Sequence, residues 1–248
     1  YRGLRTIHYT QTLERKQEVG IAPSTQHTLM KKFFFIMISL LSVFTATAED
    51  GSKLWLRYQT THTAKVTGQE CKAAEILRAH YDGAQVCLRI DDAMPQDSYR
   101  IEGSHDDITI SASTQHGLLY GAFALLRNED GYSAPYYDLR ILNHWDNLDG
   151  SIERGYAGES IFWNDQLEID HNKIEAYAMA NASIGINGTV LNNVNASPKM
   201  LTAVYINKVK EIADILRPWG IRVYISVNFG SPKALGELDT ADPLNRQV

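Results

Sequence analysis

The sequence is most informative at residues 140–163, which read RILNHWDNLDGSIERGYAGESIFW. A short apolar run, Leu139, Ile141 and Leu142, stops abruptly at a cluster of polar and aromatic side chains, Asn143 to Asn147. Amides, carboxylates and an exposed indole are poor core material. They suit a site for a hydroxyl-rich ligand, because amides and carboxylates hydrogen-bond hydroxyls and an indole covers the apolar face of a sugar ring. We therefore expect a strand that ends at a carbohydrate site.

Two further units repeat this order of strand, polar cluster and helix. A helix is predicted at about His171 to Ala182, and a second strand at Ile186 to Leu191 ends in an asparagine cluster, Asn192 to Asn195. A second helix follows from Ser197, and a third strand is predicted at Arg222 to Val227. Such alternation predicts an α/β fold with a parallel sheet, in which the polar clusters lie at the carboxyl ends of the strands.

Two architectures share this rhythm and bind ligands at the carboxyl ends of their strands. They are the (β/α)8 barrel and the doubly wound open sheet. No glycine-rich dinucleotide fingerprint follows any of the three predicted strands, which disfavours the open sheet. If the fold is a barrel, the segment 138–248 has room for about three of its eight units.

Capping signals define the ends of the predicted helices. Asp170 and Ser197 are candidate N-caps, Pro198 suits a first turn, and Gly185 and Gly220 are candidate stops. The helix that begins at Ser197 carries apolar residues at helical spacing, which predicts that they form its buried face. These residues are Leu201, Val204, Tyr205, Val209, Ile212, Ile215 and Leu216.

Residues 49–135 are predicted to form a small N-terminal α/β domain, and residues 136–248 the start of a second domain with the strand–helix alternation described above. The predicted strands are Leu54–Tyr58, Gln85–Ile90, Ser98–Glu102 and Asp107–Ala112, and the predicted helices are Ala73–His80 and a helix from Thr114 to about Arg127. Gly117 and Gly121 are expected to let the second helix pack closely on the sheet. Residues 128–137 are rich in turn-forming residues and are predicted to be a linker.

The N-terminal segment predicts export. Met30, two lysines, an apolar run and Ala46-Thr47-Ala48 form the pattern of a secretory signal peptide at residues 30–48. The run is short for a membrane span, although an internal anchor is the alternative. We interpret residues 1–29 as upstream read-through and expect a bacterial protein, exported to the periplasm or the medium, that begins near Glu49. No membrane association is expected after cleavage.

Composition and the spacing of Cys and His residues argue against nucleic-acid binding and against a metal site. The 248 residues are 44% hydrophobic and 21% charged with a net charge of −5, which is ordinary globular composition without a basic patch for nucleic acid. Cys71 and Cys87 are either paired or free thiols. His144 has no Cys or His partner at metal-ligand spacing, so we expect no metal site.

The stretch 140–163 and the segment NNVNA at 192–196 closely resemble glycoside hydrolase family 67, the α-glucuronidases. The resemblance implies an accessory domain followed by the first about three units of a (β/α)8 TIM barrel. It implies inverting hydrolysis of the α-1,2 bond that joins glucuronic acid, or its 4-O-methyl ether, to xylooligosaccharides from xylan. No cofactor is implied. Because only about three of the eight units fit, the chain is interpreted as an N-terminal fragment. The family often forms homodimers, through regions that this chain lacks, so the full-length protein is expected to be a homodimer.

The same resemblance implies that Trp145 and Val194 lie near the sugar pocket. The remaining candidates for substrate binding are the polar side chains of the two clusters, Asn143, His144, Asp146, Asn192 and Asn193, together with Asn228. Each asparagine is about as well suited to bonding backbone at a turn. Arg140 and Arg154 are candidates for neutralising the uronate carboxylate. No residue here is nominated as catalytic acid or base, because the family's carboxylates are expected beyond Val248.

Two other functions remain open from the residues. Another barrel glycosidase with the same accessory domain, such as a β-hexosaminidase, would carry an adjacent Asp-Glu pair at a strand end. A non-catalytic carbohydrate-binding module would keep Trp145 and its polar neighbours. The incomplete barrel argues against such a module.

Overall fold

The computed structural model describes residue 34 and residues 51–58, 63–104, 106–195, 197–236, 238–242 and 244–246. Apart from Phe34, the predicted read-through and signal peptide lie outside the described residues. Residues 53–248 form one compact unit, and the description below concerns that unit alone. Of the helices in the described ranges, none is both long enough and apolar enough to cross a bilayer.

The first half of this unit is a mixed sheet with two helices. Its elements are β1 (Lys65–Gly68), α1 (Lys72–His80), β2 (Gln85–Ile90), β3 (Tyr99–Ser104), β4 (Asp107–Ala112), α2 (Gln115–Leu126) and β5 (Gly131–Ser133). The strand order is β1-β2-β4-β3-β5. Strands β1, β2 and β4 run parallel, whereas β3 pairs antiparallel with both β4 and β5.

The second half is a parallel sheet whose strands alternate with helices. Its elements are β6 (Ile141–Asn143), α3 (His171–Ala182), β7 (Gly188–Val190), a 3-10 turn (Pro198–Leu201), α4 (Ala203–Leu216), a second 3-10 turn (Arg217–Trp219), β8 (Arg222–Tyr224) and α5 (Ser231–Leu235). The strand order within the described residues is β6-β7-β8, with both pairings parallel. The predicted α/β class is confirmed.

Helix α2 packs closely against the first sheet because two of its residues lack a side chain. Thr114 caps the helix by accepting a hydrogen bond from the Gly117 backbone N–H at 3.0 Å, as predicted. A Cβ on Gly117 would lie 2.7 Å from the Ser98 carbonyl oxygen, and one on Gly121 would lie 2.7 Å from Ile110 Cγ2. The prediction that these glycines serve close packing is therefore confirmed. The apolar residues of α2 are buried around most of its circumference rather than on one face.

Two predictions for the first half are wrong. Residues 54–58 are not a strand: residues 52–55 form a turn in which Leu54 has a φ of 50°. The Trp55 indole N–H donates to Ser183 Oγ at 2.6 Å, so contact with a distant helix end decides this conformation. The predicted linker contains strand β5, which completes the sheet by pairing with β3.

The helix predicted from Ser197 is also divided. Thr202 is extended, with φ −76° and ψ 154°, and separates the first 3-10 turn from α4. The Thr202 hydroxyl donates to the Lys199 carbonyl at 2.7 Å and thereby closes the turn. Leu201 and Val204 are 38% and 57% exposed, so their predicted burial is wrong. Only the end of the predicted face, at Ile212 and Leu216, is fully buried.

The two cysteines are free thiols in the structure. Cys71 precedes α1 and Cys87 lies in β2, and both are partly buried. The choice that the sequence left open is thus decided in favour of unpaired residues.

Candidate functional site

Parallel pairing brings the predicted polar clusters to one edge of the second sheet. The His144 backbone N–H donates to the Val190 carbonyl at 3.2 Å and so extends the pairing of β6 with β7. Beyond it, the Asn193 N–H donates to the Asp146 carbonyl at 2.8 Å. The loops that follow β6 and β7 are therefore bonded directly to each other, and these are the loops that carry Trp145 and Val194.

Trp145 and Val194 lie next to the bonded strand ends, and both side chains are partly open to solvent. They are 37% and 42% exposed. The Trp145 carbonyl accepts from the Glu153 N–H at 3.0 Å and from Asn193 Nδ2 at 3.4 Å. Glu153 has a φ of 58°, which is rare for a residue other than glycine. This backbone conformation costs free energy that the surrounding contacts must offset. The hydrogen bond from Glu153 to the Trp145 carbonyl is a contact that the sequence did not predict.

The asparagines of the candidate site bond mainly to backbone. Asn192 is 1% exposed, and its amide accepts from the Ser226 N–H at 2.8 Å and donates to the Ser226 carbonyl at 3.0 Å. It thereby ties the end of β7 to the chain beyond β8. Asn193 Oδ1 accepts from the Asn195 N–H at 2.9 Å, and Asn228 Oδ1 accepts from the Gly230 N–H at 2.7 Å. Asn143, by contrast, is exposed at the end of β6.

Asp146 is buried behind Trp145 rather than displayed beside it. It is 1% exposed, and its Oδ2 accepts from the Ser160 hydroxyl at 2.5 Å. Ser160 Oγ in turn accepts from the N–H groups of Phe162 and Trp163, at 3.0 and 2.9 Å. The other carboxylate oxygen, Oδ1, has no hydrogen-bond partner among the described residues and lies 3.9 Å from His144 Nδ1.

His144 continues this polar network toward helix α3. Its Nε2 lies 2.9 Å from the Tyr177 hydroxyl, which lies 2.9 Å from Thr189 Oγ1 in β7. The imidazole also meets the Phe162 ring edge to face, with the ring centroids 5.1 Å apart. Burial lowers the pKa of His144, although the Asp146 charge opposes this. Burial raises the pKa of Tyr177 to about 12, so the phenol is protonated at neutral pH.

Arg140 is not part of this site, so its predicted role in binding the uronate is wrong. It precedes β6 and therefore lies at the opposite end of that strand from Trp145. Its guanidinium donates to Asp97 Oδ2 at 2.9 Å, to the Gly185 carbonyl at 2.5 Å and to the Tyr137 carbonyl at 2.8 Å. These partners use most of its donors. Arg154, the other candidate, is exposed on the loop after β6.

A polar pocket of about 510 Å³ lies between the loops that follow β6 and β7. Its exposed polar lining includes Asp149, Asp165, Asn195 and Lys199, and Tyr205 of α4 contributes an aromatic ring. Such a lining suits hydroxyl groups. A search of the described ranges finds no cluster of three or more His, Cys, Asp or Glu side chains that could hold a metal ion.

Comparison with known proteins connects this arrangement to a family of enzymes. Residues 124–248 match the model of the glycosyl hydrolase family 67 middle domain. Over 161 residues the chain is 41% identical to a probable α-glucuronidase A from Aspergillus oryzae, a match that covers 61% of this chain and 19% of the relative. It is 39% identical over 170 residues to an α-glucuronidase from Hypocrea jecorina, covering 62% and 20%. The chain thus spans about a fifth of the length of these relatives.

Solved structures give a weaker likeness. A β-N-acetylhexosaminidase from Bacteroides fragilis superposes with a TM-score of 0.45 at 13% identity, covering 73% of this chain and 44% of that one.

Proposed function

Because this chain belongs to glycosyl hydrolase family 67, we propose that the protein carrying it is an α-glucuronidase. The observation that carries the proposal is the family match across residues 124–248, which includes the strand ends and loops of the candidate site. The proposed substrates are xylooligosaccharides bearing glucuronic acid or its 4-O-methyl ether. The proposed reaction is hydrolysis of the α-1,2 bond with inversion, in which an acid protonates the leaving oxygen while a base activates water.

We further propose that the second sheet is the beginning of a (β/α)8 barrel. Three parallel strands alternate with helices, and their polar clusters share the carboxyl edge, as barrel active sites require. Ile141 and Tyr224 converge over Gly188, where a Cβ would lie 2.8 Å from Ile141 Cγ1 and 3.0 Å from Tyr224 Cε2. This face of the sheet would become the barrel interior.

Within this barrel, Trp145 and Val194 are proposed to contact the sugar. The exposed indole offers a flat apolar surface to a pyranose ring, and Val194 offers a small apolar wall. Asn143 is the exposed amide best placed to bond a hydroxyl. No residue of this chain is assigned as acid or base, because Asp146, the best-placed carboxylate, is buried and already accepts from Ser160.

We also propose the partners and the cellular location of the protein. Glucuronic-acid-substituted xylooligosaccharides are the proposed partners, and a homodimer is the proposed state of the whole protein. Export to the periplasm or medium is proposed from residues 30–48. Fractionation of the source cells, with detection of a mature N-terminus near Glu49, tests the export proposal.

The activity is tested by following hydrolysis of an aldouronic acid, with and without the 4-O-methyl group, by ¹H NMR. Inversion of an α linkage predicts that the β-anomer of the free uronic acid appears first, before mutarotation. Release of the α-anomer first would contradict inversion. Hydrolysis of a β-N-acetylhexosaminide instead would favour the hexosaminidase alternative, and binding without hydrolysis would favour a binding module.

Replacing Trp145 tests the proposed sugar contact. W145A is expected to lower kcat/KM by about 10- to 100-fold, while W145F retains part of the flat surface and loses less. W145F keeps a ring in place of the covered part of the indole and should unfold thermally close to wild type, whereas W145A loses that packing and its fold is checked by circular dichroism. Unchanged kinetics in W145A would remove Trp145 from the site.

A further inference from the structure

We propose that Asp146 is a positioning residue that holds Trp145 and Val194 in one fixed arrangement, and that it does so without touching the sugar. This inference rests on the proposed function, since it concerns the same site. It assigns Asp146 a different role from the substrate contact that the sequence suggested.

The alternation of side chains around Trp145 is the first observation. Exposure alternates along this stretch, with His144 partly buried, Trp145 exposed and Asp146 buried, as expected where neighbouring side chains point to opposite sides. His144 and Asp146 point into the protein, where Asp146 is 1% exposed, and Trp145 between them points out. The partly buried His144 and the buried Asp146 therefore flank the indole and set its direction.

Asp146 also connects the two sugar loops, which is the second observation. Its carboxylate accepts a hydrogen bond from the Ser160 hydroxyl. Ser160 Oγ in turn accepts from the backbone N–H groups of Phe162 and Trp163. Its carbonyl accepts from the N–H of Asn193, the residue before Val194. Asn193 forms a second link between the loops, because its side-chain amide donates to the Trp145 carbonyl at 3.4 Å. A shift of Asp146 would thus move both loops.

The unpaired oxygen of Asp146 is the third observation. A buried carboxylate oxygen without a partner is unfavourable, and its nearest polar neighbour, His144 Nδ1, is 3.9 Å away. A buried polar network with an unpaired atom lowers stability, so we expect one only where it holds the surrounding loops in a single arrangement. Because Asp146 is at most 1% exposed, that geometry, and not contact with the ligand, is what its carboxylate supplies.

Matched variants separate positioning from contact. Asp146→Asn keeps the size and an oxygen that can accept from Ser160, so KM is expected to stay within about threefold of wild type. Asp146→Leu keeps the size but removes the acceptor, so KM for an aldouronic acid should rise about tenfold, with a smaller change in kcat. Ser160→Ala should shift KM in the same direction. Asp170→Ala, which removes only the cap of α3, should lower stability and leave KM unchanged.

A spectroscopic measurement tests the geometry without relying on activity. In the whole protein labelled with 5-fluorotryptophan, the ¹⁹F resonance of Trp145 is assigned by its loss in W145F. Asp146→Leu and Ser160→Ala are expected to shift or broaden the Trp145 resonance, Asp146→Asn to restore it, and Trp219 to be unaffected.

Three outcomes decide the matter. Unchanged KM and an unchanged Trp145 resonance in Asp146→Leu and Ser160→Ala would overturn the inference. Equal damage by Asp146→Asn and Asp146→Leu would also overturn it, because only direct sugar contact needs the carboxylate itself. A shifted resonance in a protein that hydrolyses no aldouronic acid would support the positioning role and reject the α-glucuronidase proposal.

Discussion

At the scale of single residues, exposure separates the side chains that are available to a ligand from those that support them. Val194 is 42% exposed on the loop after β7, whereas its neighbours Asn192 and Asn193 are buried and bonded to backbone. At this exposure a large part of the valine surface is open to a ligand. Its proposed role as a wall for the O-methyl group explains the choice of valine.

V194A is expected to weaken discrimination between the methylated and the unmethylated uronate. Loss of contact equivalent to one methylene is worth about 0.8 kcal/mol, which is about fourfold in the ratio of the two kcat/KM values. V66A is the control, because Val66 lies in strand β1 of the first sheet. An unchanged ratio in V194A would show that Val194 does not face the 4-position.

His144 should make the stability of the protein depend on pH. Burial lowers the pKa of His144 below that of the unfolded chain, so the unfolded state binds more protons at mildly acidic pH. The stabilising contribution is complete above the unfolded pKa of about 6.5 and is lost as the pH falls through the folded pKa.

Urea unfolding of the wild type and of H144Q between pH 5 and 8 measures this contribution. Glutamine can still bond the Tyr177 hydroxyl but cannot titrate in this range. The stability difference between the two proteins is therefore expected to shrink or reverse toward pH 5. Parallel curves over the whole range would show that His144 keeps an ordinary pKa.

At the scale of elements, Gly117 shows tertiary packing overruling local propensity. In an isolated helix, alanine would be favoured over glycine by about 1 kcal/mol. In α2, however, the added Cβ would lie 2.7 Å from the Ser98 carbonyl oxygen and 2.9 Å from Ala112 Cβ. G117A is therefore expected to destabilise the protein by about 1–3 kcal/mol in urea unfolding.

The control for this substitution is Q115A in the first turn of the same helix. Gln115 is exposed, so alanine there gains helix propensity without a clash. Q115A should be neutral or slightly stabilising. Equal stability of G117A and wild type would mean that α2 can move away from the sheet at little cost.

Elements whose pattern is local were predictable, and those set by distant contacts were not. The predicted bounds are correct for strands Gln85–Ile90 and Asp107–Ala112 and for helix His171–Ala182. The spacing of apolar residues and the Asp170 N-cap are local signals that can be recognised in the sequence. The turn at Leu54 and the pairing of β5 with β3 depend on partners far along the chain.

The same distinction applies to the candidate site. The position of the polar clusters at strand ends followed from the strand–helix rhythm. The sequence could not show that Asp146 bonds Ser160, that His144 bonds Tyr177 or that Glu153 supports Trp145, because these contacts join separate loops and a helix. It also could not show which asparagines use their amides on backbone.

At the scale of the whole molecule, Arg140 joins the two sheets. It lies just before β6 and donates to Asp97, which lies just before β3, and to the chain after α3 at Gly185. The two charged side chains are only 16% and 9% exposed. Removing one partner of such a pair leaves a poorly solvated charge, which is far more costly than removing both.

We therefore expect R140M to destabilise the compact unit by about 3–5 kcal/mol, since it strands the Asp97 carboxylate and frees the Gly185 carbonyl. D97N should cost less, because Arg140 keeps its backbone acceptors. The double variant should be more stable than the sum of the two losses predicts, by about 1–3 kcal/mol. Urea unfolding monitored by near-ultraviolet circular dichroism measures all three. If the losses of unfolding free energy in the two single variants add up to that of the double variant, the ion pair does not couple the two sheets. Two separate unfolding transitions in R140M would show that the sheets unfold independently once the pair is lost.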